Sequence, residues 1–317
     1  MGEKFSPPFF YYLLIIGMTT KTSLRQIIKR VLNENTLRTY MKDWDDNILY
    51  MPTKIKMDKK INDKWVPVEV STSDFATVRH DDRYRPRNDD KKEAFSDFVE
   101  SAPFVRDVKI AIKNKRFAPS AKKFKEALVN ANPFAINTAR GHKPEILKKG
   151  VEIFIDMVLS PSEKEKMVKN ILSSFKNEKR FSNDFENKLE DLSDKQLIDL
   201  FLDEKGEYYS VSSQEFGQRF RVDVSGAAAN PEHSKKMAIA DFVRKIWREI
   251  KYWVNSGYSS ISFGFSDDDK KNVKAAVEYL KDELSMEFPE IHFVVYDTSD
   301  GEETKIIITK KEKNIKR

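Results

Sequence analysis

The chain has 317 residues, 39% of them hydrophobic and 34% charged, with 12 Pro, 10 Gly and no Cys. This composition excludes a collagen-like or low-complexity chain, and the absence of Cys removes disulfide staples, thiolate zinc sites, iron–sulfur clusters and a thiol nucleophile. The formal charge of +6 is mild and is swollen by the closing run Lys310, Lys311, Lys313, Lys316, Arg317; it permits an anionic partner, nucleic acid included, without requiring one.

The most apolar run, Phe9 to Met18, is ten residues long, too short for a bilayer core of about 30 Å, which takes about 20 residues. Lys4 is opposed by Glu3, and Pro7 and Pro8 interrupt the approach, so the run is also a poor secretory signal. No stable membrane insertion is expected, and a reducing cytoplasm fits the absence of Cys. Met18 reads as the start of the folding unit, with Thr20 or Thr22 capping a helix striped by Leu24, Ile27, Ile28, Val31 and Leu32. Residues 1–36 are thus an extension and a helix.

A short strand, Thr39 to Asp43, precedes the acidic sequence DWDDNIL. The next stretch, TKIKMDKKINDKWVPVEVST, alternates on both sides of Asn62 and Asp63 and predicts a β-hairpin that projects as a flap. Residues 80–92 combine dense charge of both signs with Pro86 and read as a solvated loop. Helical spacing from Lys91 to Ala131 leads into the apolar strand PFAIN, followed at once by TARGHKP. Helices follow over Pro144–Met157 and Ser162–Phe175, a charged surface stretch over Asn177–Asp191, and a strand over Tyr208–Ser212. The clearest amphipathic helix spans Glu232–Val254, with Ile239, Phe242, Val243, Ile246, Ile250 and Trp253 inward and Gly257 as its stop. The strand Tyr258–Phe265, the turn SDDD, a helix striped by Val273, Ala276, Val277, Leu280 and Leu284, the strand Ile291–Tyr296 and an edge strand over Lys305–Thr309 complete the chain, before a basic tail over 311–317.

Strands alternating with helices predict an α/β fold, a Rossmann-like and mainly parallel sheet flanked by helices, with ligands beyond the carboxyl ends of the strands. Three of those ends are rich in chemistry: Asp43-Trp44-Asp45, Asn137-Thr138-Ala139-Arg140-Gly141-His142 and Asp267-Asp268-Asp269; Lys235 and Lys236 open the helix before the third. Carboxylates gathered at strand ends repel one another unless a cation joins them, and oxygen-only ligation favours Mg²⁺. A hydroxyl and free N–H groups at a helix start, supplemented by an ammonium, form an anion site. Together these describe phosphoryl transfer. His80, His142, His233 and His292 form no metal pair, and His292 reads as packed within its strand; no GxxxxGK loop is present. The aromatic spacing is that of helix packing rather than of a stacking platform.

The order of these segments resembles the haloacid dehalogenase superfamily of phosphohydrolases. Asp43-Trp44-Asp45-Asp46-Asn47-Ile48 is similar to the family's DxDGTL, Thr138 in AINTARG to its second motif, Lys235 (or Lys236) to its lysine, and Asp267 and Asp268 in GFSDDDKKN to its acidic pair, with Asn272 in the following helix. The last pattern and TARGH also resemble the phosphatase half of polynucleotide kinase-phosphatases. The resemblance implies a Mg²⁺-dependent phosphomonoesterase in which Asp43 is the nucleophile and Asp45 the acid and base. Asp43, Asp45, Asp267 and Asp268 would serve the metal, Thr138, Ala139, Arg140 and Lys236 the phosphate, and Lys235 the shared charge. It also implies one domain over 37–310 with insertions at about 53–120 and 145–230, and a phosphorylated metabolite, nucleotide or nucleic-acid end as substrate. Asp46 and Asn47 replace the family's Gly and Thr, and Lys42 stands directly before the nucleophile, which keeps a non-catalytic scaffold and a nucleic-acid end-processing phosphatase as alternatives.

Overall fold

Leu37, Thr39, Met41 and Asp43 alternate with Arg38, Tyr40 and Lys42, and that period of two sends the two sets to opposite sides of β1 (Thr36–Lys42). The computed structural model describes residues 36–176, 178, 188–224, 230–253, 258 and 260–309. The apolar run at 9–18, the helix read after Met18, the basic tail, Gly257 and most of 177–187 lie outside them.

The protein is an α/β structure whose main sheet has six strands in the order β6-β5-β1-β7-β8-β9. The other strands are β5 (Phe134–Thr138), β6 (Gly206–Ser210), β7 (Ser260–Asp267), β8 (Ile291–Asp297) and β9 (Thr304–Ile307). All pairings are parallel except β8 with the edge strand β9. A second, three-stranded antiparallel sheet, β3-β2-β4, is the flap, built from β2 (Ile55–Ile61), β3 (Lys64–Val70) and β4 (Tyr84–Pro86). Asn62 and Asp63 turn the hairpin with φ of 47° and 59°, the left-handed pair that a two-residue hairpin turn needs and that Asn and Asp tolerate best among residues with a Cβ.

Helices cover both faces of the main sheet. On one lie α2 (Ser101–Lys113), α3 (Ala121–Val129), α4 (Pro144–Val158), α5 (Pro161–Lys176) and α6 (Asp194–Glu204), after the short flap helix α1 (Thr72–Val78). Their core gathers Phe104, Phe124, Leu147, Phe154, Ile171 and Phe201 around Phe134 and Ile136. At Gly150 a Cβ would come within 2.9 Å of Phe104 and 3.2 Å of Trp44, so glycine lets α4 close on α2. The other face carries α7 (Gln214–Phe220), α8 (Pro231–Trp253) and α9 (Lys270–Tyr279). There Ile239, Phe242, Val243 and Ile246 meet Leu37, Met41, Phe263, Phe265 and Val295; Ile250 and Trp253 lie outside the described side chains. Among the described residues, no helix is long and apolar enough to cross a membrane.

Two expectations are corrected, that of the loop over 80–92 and that of His292. Residues 84–86 are not a solvated loop: Arg85 and Arg87 both reach the buried carboxylate of Asp58, and Arg87 donates to the carbonyls of Met57 and Val68, which draws this charged segment onto β2. The two intervals expected as insertions, about 53–120 and 145–230, contribute to the main layers as well as to the flap. α2 belongs to the main core and β6 to the main sheet, so the segment standing apart from the main layers is the flap, with its own small core of Ile55, Met57, Val70 and Phe98. His292 is exposed on β8 rather than packed.

Candidate functional site

The chain leaves β1 to build β5 and β6 on one side and later returns to build β7 and β8 on the other. In an open α/β sheet the crevice beyond such a reversal is where ligands bind. Asp43 follows the last residue of β1, and Asp267 closes β7. The N–H of Asp43 donates to the carbonyl of Ser266 at 3.0 Å, extending the parallel ladder by one step. Alternation then aims both carboxylates at the face covered by α8, whose first turns hold Lys235.

Lys235 Nζ donates to Asp43 Oδ1 at 3.1 Å and to Asp267 Oδ2 at 2.7 Å, and all three side chains are buried. Asp267 Oδ1 accepts from the N–H of Asp269 and from Asn272 Nδ2, each at 3.0 Å. Asp267 is therefore a fixed anchor with both oxygens engaged. Asp268, half-buried beside it, accepts no hydrogen bond from a described residue. Burial opposes the charge of Lys235, but Asp267 and Asp43 outweigh it and hold the ammonium above its ordinary range. Burial likewise raises Asp43 well above the usual carboxylate range, with Asp267 and Asp45 adding to the rise against the pull of Lys235. Asp268 is raised by burial first and then by Asp43 and Asp267.

The loop after β1 is one tight turn. The N–H groups of Ile48 and Leu49 both donate to the carbonyl of Trp44, and that of Asp46 to the carbonyl of Leu49. Asp46 has φ of 52°: it stands where the resembling family has Gly and adopts the left-handed conformation that Asp tolerates. Its carboxylate accepts from Thr72 Oγ1 of the flap at 2.5 Å. Asn47 donates to Thr298 Oγ1 at 2.8 Å and accepts from Ser266 Oγ at 2.9 Å, pinning the turn to β7 and to the end of β8. Lys42, on the opposite face of β1, is fully buried with its Nζ 3.3 Å from Ser266 Oγ, and burial lowers it to about 7.

Arg140 departs from its expected role. Its Nε and Nη2 each donate at 2.7 Å to one oxygen of Asp45, Nη2 also donates to Thr53 Oγ1, and Nη1 donates to His142 Nε2 at 3.3 Å. The guanidinium is 1% exposed and lies 4.6 Å and 5.2 Å from the ring centroids of Phe98 and Phe104. The fork that sequence reasoning assigns to phosphate is thus taken up by Asp45. Burial, followed by the Arg140 charge, lowers His142 to about 4 and keeps the ring a neutral acceptor. Thr138 ends β5, buried, and its Oγ1 accepts from the N–H of Arg140 at 3.3 Å, leaving the hydroxyl proton to donate; Ala139 is exposed beside it. Asn137 donates to the carbonyl of Lys235 at 3.3 Å and so fixes the start of α8 against β5. Lys236 is half-buried and makes no hydrogen bond or ion pair to a described residue.

The structure therefore brings together Asp43, Lys235, Asp267 and Asp268, and beside them Asp45 on Arg140. Sequence reasoning missed the clamp of Arg140, Thr53, Phe98 and His142, and the Ser266–Asn47–Thr298 network. Apart from the Arg-to-acid complementarity of Arg140 and Asp45, no spacing signal announces them. Among the described residues, no group of three or more His, Asp or Glu side chains is arranged to hold one metal ion. The donor chemistry still fits Mg²⁺, which takes one or two carboxylates with water and substrate oxygens rather than a protein cage. Four carboxylates here meet two bonded cations; burial first, and the neighbouring carboxylates after it, raise Asp43 and Asp268, and ionising these two would offer charge that matches a divalent ion. Compared with known protein families, curated proteins and solved structures, the chain matches none.

Proposed function

We propose that the protein is a Mg²⁺-dependent phosphatase of Rossmann-like, haloacid dehalogenase type, hydrolysing a phosphate monoester at Asp43. The observation that carries the reading is the pairing of Asp43 and Asp267 through Lys235 at the sheet reversal, with Asp268 left without a hydrogen-bonded partner among the described residues. Asp43 and Asp268, with the backbone carbonyl of Asp45, are the groups that would hold Mg²⁺; Asp267 is less available because both its oxygens accept from protein donors. When bound, the ion supplies positive charge between the nucleophile and the phosphoryl oxygens.

A carboxylate oxygen of Asp43 attacks phosphorus, the bond from phosphorus to the ester oxygen breaks, and the leaving oxygen takes a proton from Asp45. Water then attacks the phosphorus of the aspartyl-phosphate and gives its proton to Asp45, which frees phosphate and restores Asp43. Lys235 fixes Asp43 and offsets the charge it shares with the phosphoryl group, while the Thr138 hydroxyl and the Ala139 N–H donate to phosphoryl oxygens. Arg140 positions Asp45 and does not bind phosphate; to carry a proton, Asp45 must release at least one of its two bonds to the guanidinium.

The test is release of phosphate from an aryl phosphate with and without Mg²⁺. Mg²⁺-dependent turnover that Asp43→Asn abolishes is the expected result, and turnover unaffected by that substitution would overturn the assignment. A scaffold without catalysis is the reading that remains if neither turnover nor Mg²⁺ binding is found.

A further inference from the structure

The flap carries a charge and an aromatic arrangement that hydrolysis at Asp43 does not use. Residues 54–87 hold nine Lys or Arg against six Asp or Glu, whereas the remainder of 36–309 is net acidic. In the register of the small sheet Lys60 lies directly opposite Trp65, and Asp58, two residues along the same face, lies opposite Arg85. Lys60, Trp65 and Arg85 therefore share one face, and the Arg85 guanidinium sits 4.3 Å from the Trp65 ring centroid. Trp65 keeps 37% of its surface exposed, although an indole gains more from burial than almost any other side chain. On the reverse face Ile61 and Val66 are exposed and Lys59 Nζ lies 5.2 Å from the Tyr84 ring.

Lys60 on this face is bonded to an exposed partner, and Arg85 divides its guanidinium between an exposed partner and the buried Asp58, 3.4 Å from its Nε. Lys60 pairs with Asp63 at 3.1 Å, where both side chains are open to water, and Arg85 reaches Asp89 at 2.5 Å at the sheet edge. Exposed pairs of this kind contribute little stability, so a phosphate can replace them at small cost. The flap is also tied to the crevice at three points: Thr72 on Asp46, Thr53 under Arg140, and the Phe98 carbonyl accepting from the N–H of Gly141. These ties set the base of the flap beside the loop that carries Asp45.

We infer that the Trp65–Arg85–Lys60 face of the flap binds single-stranded nucleic acid and presents its phosphorylated end to Asp43. The inference rests on the phosphatase reading for the second half of that statement only. Single strands suit such a face because unpaired bases stack on an indole while cations follow the phosphates. A small phosphorylated metabolite uses neither feature, a duplex keeps its bases stacked on each other, and an acidic peptide has no base for Trp65.

The experiment measures fluorescence anisotropy of a labelled fifteen-residue oligothymidylate (about 15 nucleotides, one to a few binding footprints) with the full chain, alongside hydrolysis of an aryl phosphate. Binding should weaken at least about tenfold between about 50 and 200 mM salt. Trp65→Ala should weaken it about tenfold with an unchanged melting temperature, Trp65→Phe should retain most of it, and Lys60→Glu should lower both affinity and salt slope. Wild-type affinity in Trp65→Ala, equal binding of a duplex, or displacement by polyglutamate would each overturn the inference. Aryl phosphate hydrolysis without oligonucleotide binding overturns the flap surface and leaves the phosphatase standing. Binding through Trp65 with no hydrolysis of either substrate upholds the surface and overturns the phosphatase.

Discussion

Lys235 and Lys42 are both buried, on opposite faces of β1, in opposite company. Lys235 is bonded to two carboxylates and is held above its ordinary range; Lys42 has a hydroxyl, that of Ser266, and two tyrosine rings about 6 Å away, and burial pulls it down to about 7. The difference teaches that strand alternation divides the polar residues at the end of β1 into two jobs. One face gathers carboxylates and a counter-ion where we propose that a phosphoryl group binds. The other face uses hydroxyls, an amide and a lysine to hold the loop that carries those carboxylates.

The sharpest break in this comparison is at Asp43. Asp43→Asn should reduce phosphate release by about a thousandfold or more while circular dichroism and the melting temperature stay near wild type, since it removes charge from a crowded site. Next is Lys235→Met, which leaves Asp43 and Asp267 without their shared cation. It should destabilise by about 3–5 kcal/mol in denaturant titration, as breaking a buried pair does, and the chain that remains folded should be inactive. Arg140→Lys keeps the charge and loses the fork on Asp45. A fall in kcat of about tenfold to a hundredfold with little change in KM is the outcome expected of a positioning residue, and a rise in KM alone would return Arg140 to the phosphate.

A smaller effect concerns pH. His142 is lowered to about 4 by burial and by Arg140, so the unfolded chain binds its proton first as pH falls. Stability is fully present above the ordinary histidine value and is lost progressively between about pH 6.5 and 4, by a few (~3) kcal/mol at most. Thermal melting of wild type against His142→Leu over that window checks it, the variant losing this part of the slope. The smallest effect belongs to the other face of β1. Lys42→Met should leave hydrolysis intact and alter stability by no more than about 1 kcal/mol, or raise it, because a buried lysine with no bonded carboxylate among the described residues gives up little when replaced by an apolar side chain of its own length. Loss of activity in that variant would erase the division between the faces.

Much of this division was legible in the chain. The strands read over Thr39–Asp43 and Tyr258–Phe265 correspond to β1 and β7, and the acids after them fall where ligands of a parallel sheet bind. The Asn62-Asp63 turn announced the flap. Lys235 could be told from Lys236 only once α8 was set against Asp43, because adjacent positions on a helix point about 100° apart and sequence does not fix the rotation. Arg140 was read as a phosphate ligand whereas its fork is bonded to Asp45, because a guanidinium fits a phosphate and a carboxylate in the same way. β4 was hidden because strand signals count charge as exposure, whereas Arg85 and Arg87 bring their charge to the buried carboxylate of Asp58.

The most direct test of the central claim is calorimetric titration of Mg²⁺ into wild type, Asp43→Asn and Asp268→Asn. The charge arrangement predicts one ion per wild-type chain, with proton release as the raised carboxylates of Asp43 and Asp268 ionise, and binding weakened or lost in each variant. Mg²⁺ binding equal in all three proteins, or absent from the wild type, would contradict it.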